Sequence, residues 1–200
     1  MSKFMKFLLS AALCLGLATP ALAADTHGRV VAYDSAAKKV TFIEDSLNWS
    51  NPQRPEFTVL PPKVVTLAED PGDMAPKAGG RLRIDLEKKE IIVFNSKTGT
   101  IDTIAVEIVN KTDNVEPDNP ALLEDGKPLL EDGKPKIFPV VNKDTGEVTI
   151  YSRRQKNLST IKVPMEYMDL PEATWDDGHN IKVTIDGDKG TNFVNLSRAN

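Results

Sequence analysis

The chain has a single cysteine, Cys14, and it lies in the first apolar stretch. Everything after it is free of cysteine. Disulfides, a thiolate metal site and a cysteine nucleophile are therefore excluded from that part. Histidine is almost as scarce, with only His27 and His179 present. Aromatic residues make up 6% of the chain, so the core has to be aliphatic. There is no Gly-x-Ser-x-Gly, no phosphate loop and no His-Glu-x-x-His, so no catalytic residue is nominated and no cofactor is expected. Basic blocks are missing too: 25 Lys and Arg stand against 29 Asp and Glu, a formal charge of −4. Nucleic acid, which calls for a basic face, is not an expected partner. No apolar run after the first 23 residues approaches the ~20 needed to cross a bilayer.

What is present begins with a leader. Lys3 and Lys6 form a positive start, residues 7–18 are apolar except for Ser10 and Gly16, and Pro20 precedes the small-x-small site Ala21-Leu22-Ala23. That order of parts is a signal peptide, cut after Ala23. Cys14 follows Leu13, which is too large for an acylation site, so it leaves with the leader. The working protein is expected outside the cytoplasm, periplasmic or extracellular, beginning at Ala24. Losing Lys3 and Lys6 takes its formal charge to −6. Four Asn-x-Ser/Thr triplets start at Asn48, Asn110, Asn157 and Asn195. They matter only in a eukaryotic secretory pathway.

The rest reads as short strands. Gly28-Arg29-Val30-Val31-Ala32-Tyr33 and Lys39-Val40-Thr41-Phe42-Ile43 flank a polar turn, which predicts a hairpin. Phe57-Thr58-Val59-Leu60 is a strand closed by Pro61-Pro62. Leu82, Ile84 and Leu86 alternate with Arg81, Arg83 and Asp85, the period of a half-buried strand. Further strands are predicted at 91–94, 101–109, 137–141, 148–151, 160–163, 181–185 and 191–196. Asp186-Gly187-Asp188-Lys189-Gly190 places acids at alternate positions, yet between two strands it makes a turn rather than a calcium loop.

Between 112 and 135 the texture changes. Pro117, Pro120, Pro128 and Pro135 fall here. Leu122-Leu123-Glu124-Asp125-Gly126-Lys127-Pro128 is followed at once by Leu129-Leu130-Glu131-Asp132-Gly133-Lys134-Pro135. An Asp-Gly turn and a proline in each copy forbid a long helix or a central strand. A linker lengthened by local duplication accounts for most of this. Four leucines exceed what a spacer needs, so Leu122, Leu123, Leu129 and Leu130 are candidate partner contacts.

The chains before and after this segment follow one order. Val40-Thr41-Phe42 corresponds to Val148-Thr149-Ile150, Leu82-Arg83-Ile84 to Ile181-Lys182-Val183, and Gly99-Thr100 to Gly190-Thr191. The expected fold is all-β: two small OB-like or barrel-like antiparallel units in tandem, at 24–111 and 136–200, joined by the Pro/Gly-rich linker 112–135. Closure into barrels is how such short sheets avoid exposed edges.

The first unit, over residues 28–109, resembles the small OB-type barrels of periplasmic copper- and silver-binding metallochaperones. The likeness lies in Gly28-x-Val30, Val40-Thr41, Leu47-Asn48-Trp49, Phe57-Thr58-Val59 and Gly80-x-Leu82. In that family a tryptophan caps a metal held by a histidine and two methionines. Trp49 matches the tryptophan, but no histidine or methionine stands between Ala32 and Leu60. The resemblance therefore implies the fold and not the metal site, and makes Trp49 a candidate contact at a barrel mouth.

Met165, Met168 and His179 are the remaining soft-metal candidates, since thioethers and imidazole suit Cu(I) without cysteine. His27, four residues from the new N-terminus, is a poor place for a preorganised base. The expected role is a non-enzymatic exported protein that binds a protein or envelope component. A copper- or silver-binding module is one alternative. A carboxylate-dependent hydrolase is the other, although no spacing among the acids selects a pair.

Overall fold

β-branched and aliphatic residues recur at every second position through most of the chain, and that period builds strands. The computed structural model describes residues 23–46, 56–57, 61–116, 118–124, 127–128, 130–131, 134–135, 138–152 and 155–199. In chain order the strands are β1 (Ala24–Asp34), β2 (Lys39–Ser46), β3 (Glu56–Phe57), β4 (Lys63–Leu67), β5 (Arg81–Asp85), β6 (Glu90–Asn95), β7 (Thr100–Ala105) and β8 (Glu107–Asp113). Four two-residue strands follow, β9 (Leu123–Glu124), β10 (Lys127–Pro128), β11 (Leu130–Glu131) and β12 (Lys134–Pro135). Last come β13 (Val140–Asn142), β14 (Glu147–Ser152), β15 (Asn157–Lys162), β16 (Asn180–Asp186) and β17 (Lys189–Asn195). Among the described residues the helical pieces are 3-10 turns of three or four residues. The protein is all-β, as its composition led us to expect.

Five strands close into a barrel in the order β1-β16-β17-β4-β2, with β2 pairing back to β1. Counted along the chain, the ring runs first, fourth, fifth, third, second. The third and fifth, β4 and β17, are parallel. This is the Greek-key closure of an OB-type barrel. β1 is long because it has two partners: residues 24–29 pair with β16, and 28–34 with β2. A bulge at Val31, between the pairs Val30–Phe42 and Ala32–Thr41, supplies the extra twist for wrapping from one neighbour to the other. Val30, Val40, Phe42, Val65, Leu67, Ile181 and Val183 fill the interior, each at most 2% exposed. Each such side chain stabilises by about 1.5–3 kcal/mol. That aliphatic core does the work that disulfides do in many exported domains.

The chain leaves the barrel after β4 and returns at β16, and residues 68–179 form an inserted unit. β5, β6 and β7 make an antiparallel three-stranded sheet, while β13, β14, β15 and β8 make a four-stranded one. Only Val106 separates β7 from β8, so one run of chain serves both sheets, the corner of a folded-over sandwich. Between them lie Ile91, Val93, Ile104, Val106, Val148, Ile150, Ile161, Val163, Met168 and Trp175.

The duplicated segment forms two miniature hairpins. Glu124 pairs with Lys127 and Leu123 with Pro128; Glu131 pairs with Lys134 and Leu130 with Pro135. In each copy the paired residues flank an Asp-Gly in the sequence, the strongest short hairpin signal. Neither hairpin joins a larger sheet.

The sheets correct the expected tandem arrangement. Both supposed units contribute to the barrel, since β1 pairs with β16 across the whole insertion. Both contribute to the inserted unit too, because β8 pairs with β15. Strands that match between the halves lie in different sheets: Val40 and Phe42 face the barrel interior, Val148 and Ile150 the inserted core. Chain order carries no record of which strands pair, and here the decisive pairing spans 150 residues.

Candidate functional site

The outbound and return passages cross on β1. Gly79 N–H donates to Val30 O at 3.1 Å, and Val30 N–H donates to His179 O at 3.0 Å. A Cβ at Gly178 would stand 1.9 Å from Val30 O, and one at Gly79 would stand 2.4 Å from Gly178 N. Only glycine lets three backbones approach so closely. Beside the crossing, Ile43 on β2 packs against Leu82 and Phe94 of the inserted unit, with Val31, Ile92 and Ile101 at the margin. The residues of β1 that alternate with Val30 therefore face the insertion.

A charged clamp completes this junction. Arg29 Nη1 donates to Arg81 O, Leu82 O and Asp177 Oδ1 at 3.2, 3.1 and 3.0 Å, and its Nε donates to Asn180 Oδ1 at 3.4 Å. Arg81 Nη2 donates to the other oxygen, Asp177 Oδ2, at 2.7 Å. One carboxylate thus binds two guanidinium groups, one from the barrel and one from the insertion. Burial pulls the Arg29 guanidinium down from its ordinary pKa, and Asp177 opposes that pull. Burial also pushes Asp45 up and His27 down, each partly offset by the other's charge. Asp45 Oδ1 and Arg81 Nε are buried without a hydrogen-bond partner. Both Asp177 oxygens are engaged, so the geometry is that of a fastening rather than a proton relay.

Above the crossing lies an open, mostly apolar depression of only ≈ 40 Å³, lined by Val31, Gly80, Phe94, Ser96, Pro171 and Thr174. It falls below the ~300–1,000 Å³ typical of small-molecule sites.

The sequence candidates are dispersed. Met168 is 3% exposed and packs in the inserted core with Trp175. Met165 is 53% exposed. His179 stands on the return passage, where its Nδ1 accepts from Lys77 N–H at 3.1 Å and faces Asn195 Nδ2 at 3.0 Å. Leu122 is 8% exposed and Leu123 half-buried. Trp49 and Leu129 lie outside the described residues, and Leu130 is described by its backbone pairing alone. The 186–190 segment is a hairpin turn, with Gly187 at φ +62°. Among the described residues no three His, Cys, Asp or Glu side chains converge.

Sequence reasoning passed over Arg29, Arg81 and Asp177. The alternation of Arg81 with apolar residues indicates a half-buried strand and does not single Arg81 out. A bulge at Leu82, between the pairs Arg81–Val93 and Arg83–Ile92, breaks that alternation and buries both Arg81 and Leu82. The available signal was the break Ala78-Gly79-Gly80 just ahead of it.

Residues 23–200 match a family model described as a domain of unknown function (DUF4881). No curated protein and no solved structure matches the chain.

Proposed function

Because the chain belongs to the DUF4881 family, whose function is unknown, we propose a role from its own residues: it is an exported, non-enzymatic binding protein of the cell envelope. The observation that carries this reading is the pair of consecutive hairpins at 123–128 and 130–135, each closed on itself and joined to no larger sheet. A lone two-stranded hairpin is marginally stable in water, so two in series gain most from a surface that receives them. Leu123, Leu129 and Leu130 are the apolar side chains offered to that partner, while Leu122 is buried within the chain itself. Export is supported by the leader, and by the start of β1 at Ala24, the residue expected to follow cleavage. An OB-type barrel binds nucleic acid through its strand faces and the loops between first and second and between fourth and fifth strands. Here those loops are the short turns at 35–38 and 187–188, and the chain is acidic, which favours a protein or envelope partner.

The test is an envelope pull-down with residues 24–200, in parallel with a variant lacking 129–135. A partner held by the intact chain and reduced at least tenfold by the deletion is the expected result. Equal retention by both, or no retained partner together with hydrolytic turnover abolished by substituting one acid, would overturn the reading.

A further inference from the structure

His179 sits where four segments meet. Its backbone N–H donates to Lys77 O at 2.9 Å and its carbonyl accepts from Val30 N–H at 3.0 Å. Its ring returns the contact to the outbound passage, because Nδ1 accepts from Lys77 N–H at 3.1 Å. Asn195, fully buried at the end of β17, shares its amide protons among Met74 O, Ala75 O and the same Nδ1, at 3.1, 3.3 and 3.0 Å. The two carbonyls orient that amide with nitrogen towards the ring. Nδ1 therefore has donors on both sides and carries no proton.

The C-terminal turn hangs on the same knot. Asn195 Oδ1 accepts from Ser197 N–H at 3.2 Å, Ser197 Oγ accepts from Asn180 N–H at 2.9 Å, and Arg198 Nη1 donates to Asp73 O at 2.5 Å. We propose that His179 is an acid-opened clasp: neutral, it fastens the outbound passage at 74–77 and the C-terminal turn at 196–199 to the barrel, and protonation at Nδ1 releases both. A proton there would point an N–H at two other N–H donors. It would exchange two hydrogen bonds for a repulsion.

The charged groups around the ring come from three elements. Arg198, on the C-terminal turn, and Lys77, on the outbound passage, oppose a further positive charge; Asp176, on the return passage, favours it but is paired with Lys77. Burial adds to the opposition, so His179 stays neutral below the ordinary 6.5. A folded-state value below the unfolded one means that the clasp is fully closed above about pH 6.5 and loosens as pH falls towards the folded value, by up to about tenfold per pH unit.

NMR of residues 24–200 tests this. The His179 ring is titrated while amide exchange at Lys77 and Thr66 is followed from pH 7.5 to 5.0, corrected for intrinsic pH dependence. Thr66 N–H donates to Asp188 O within the barrel and serves as the reference. We expect Lys77 exchange to speed up tenfold or more as pH falls from 6.5 towards the His179 midpoint and to level off below it, with Thr66 unchanged. In His179→Asn, whose Oδ1 keeps an acceptor near the Nδ1 position and does not titrate, the acceleration at Lys77 should vanish. A Lys77 rate that does not rise between pH 6.5 and the His179 midpoint, or the same acceleration in the variant, overturns the clasp. If the variant does not fold, the two wild-type amides decide: equal acceleration of both means general acid unfolding and overturns it as well.

Discussion

Among the described glycines, Gly178 leaves the least room for a side chain. A methyl group there would meet the Val30 carbonyl, which β1 holds in the barrel wall and which cannot step aside. Gly178→Ala should therefore cost about 3 kcal/mol or more, read as a lowered urea midpoint, whereas Gly99→Ala, with open space around it, should cost only the ~1–2 kcal/mol of its left-handed backbone. Asp45 makes the opposite prediction. Its carboxylate is pushed up by burial and has an oxygen without a partner. A raised folded-state value means that the charged form burdens the fold at neutral pH, and that the burden lifts as pH falls through that value. Asp45→Asn should then raise Tm at pH 7 and give little change near pH 4, by thermal melts at both. These residues also show where sequence reading stops. Val30, Val40 and Phe42 announced themselves through alternation. Arg29, Arg81 and Asp177 did not, because a buried guanidinium looks like a surface one until its bulge and its carboxylate partner, far away in the chain, are known.

Among elements, the hairpins were the most legible. The β1–β2 hairpin, the turn at 187–188 and both Asp-Gly hairpins follow from local chemistry, which acts within a few residues. The pairing of β8 with β15 and of β1 with β16 does not, because period-2 patterns specify a face and not a neighbour. This changes what a protease should find. A cut between 124 and 137 falls outside the larger sheets, so the nicked chain should stay together and elute as one species on size exclusion, parting only in denaturant. Two separable fragments would contradict the ladders that cross the cut. For the same reason, deleting 129–135 should move Tm by no more than about 2–4 °C, the shift for roughly 1 kcal/mol in a chain of this size. Of the four Asn-x-Ser/Thr triplets, those at Asn157 and Asn195 are buried, and Asn195 belongs to the His179 knot. Neither is open to modification in the folded protein.

For the molecule as a whole, the ring of the barrel is sealed by the first strand of the chain lying against its sixteenth. That seam sets a schedule. β2 and β4 can assemble on β1 early, but the outer edge of β1 stays bare until residues 180–185 have been delivered. Loop closure over such a span is slow, so the barrel has to wait for its last two strands before it can lock. Truncation after Asn180 should leave a product without native near-ultraviolet circular dichroism and readily degraded, although most of the inserted unit is intact in sequence. The completed ring therefore reports that the last strands have joined the fold, and a chain interrupted earlier carries the unpaired backbone of its own first strand as an open edge.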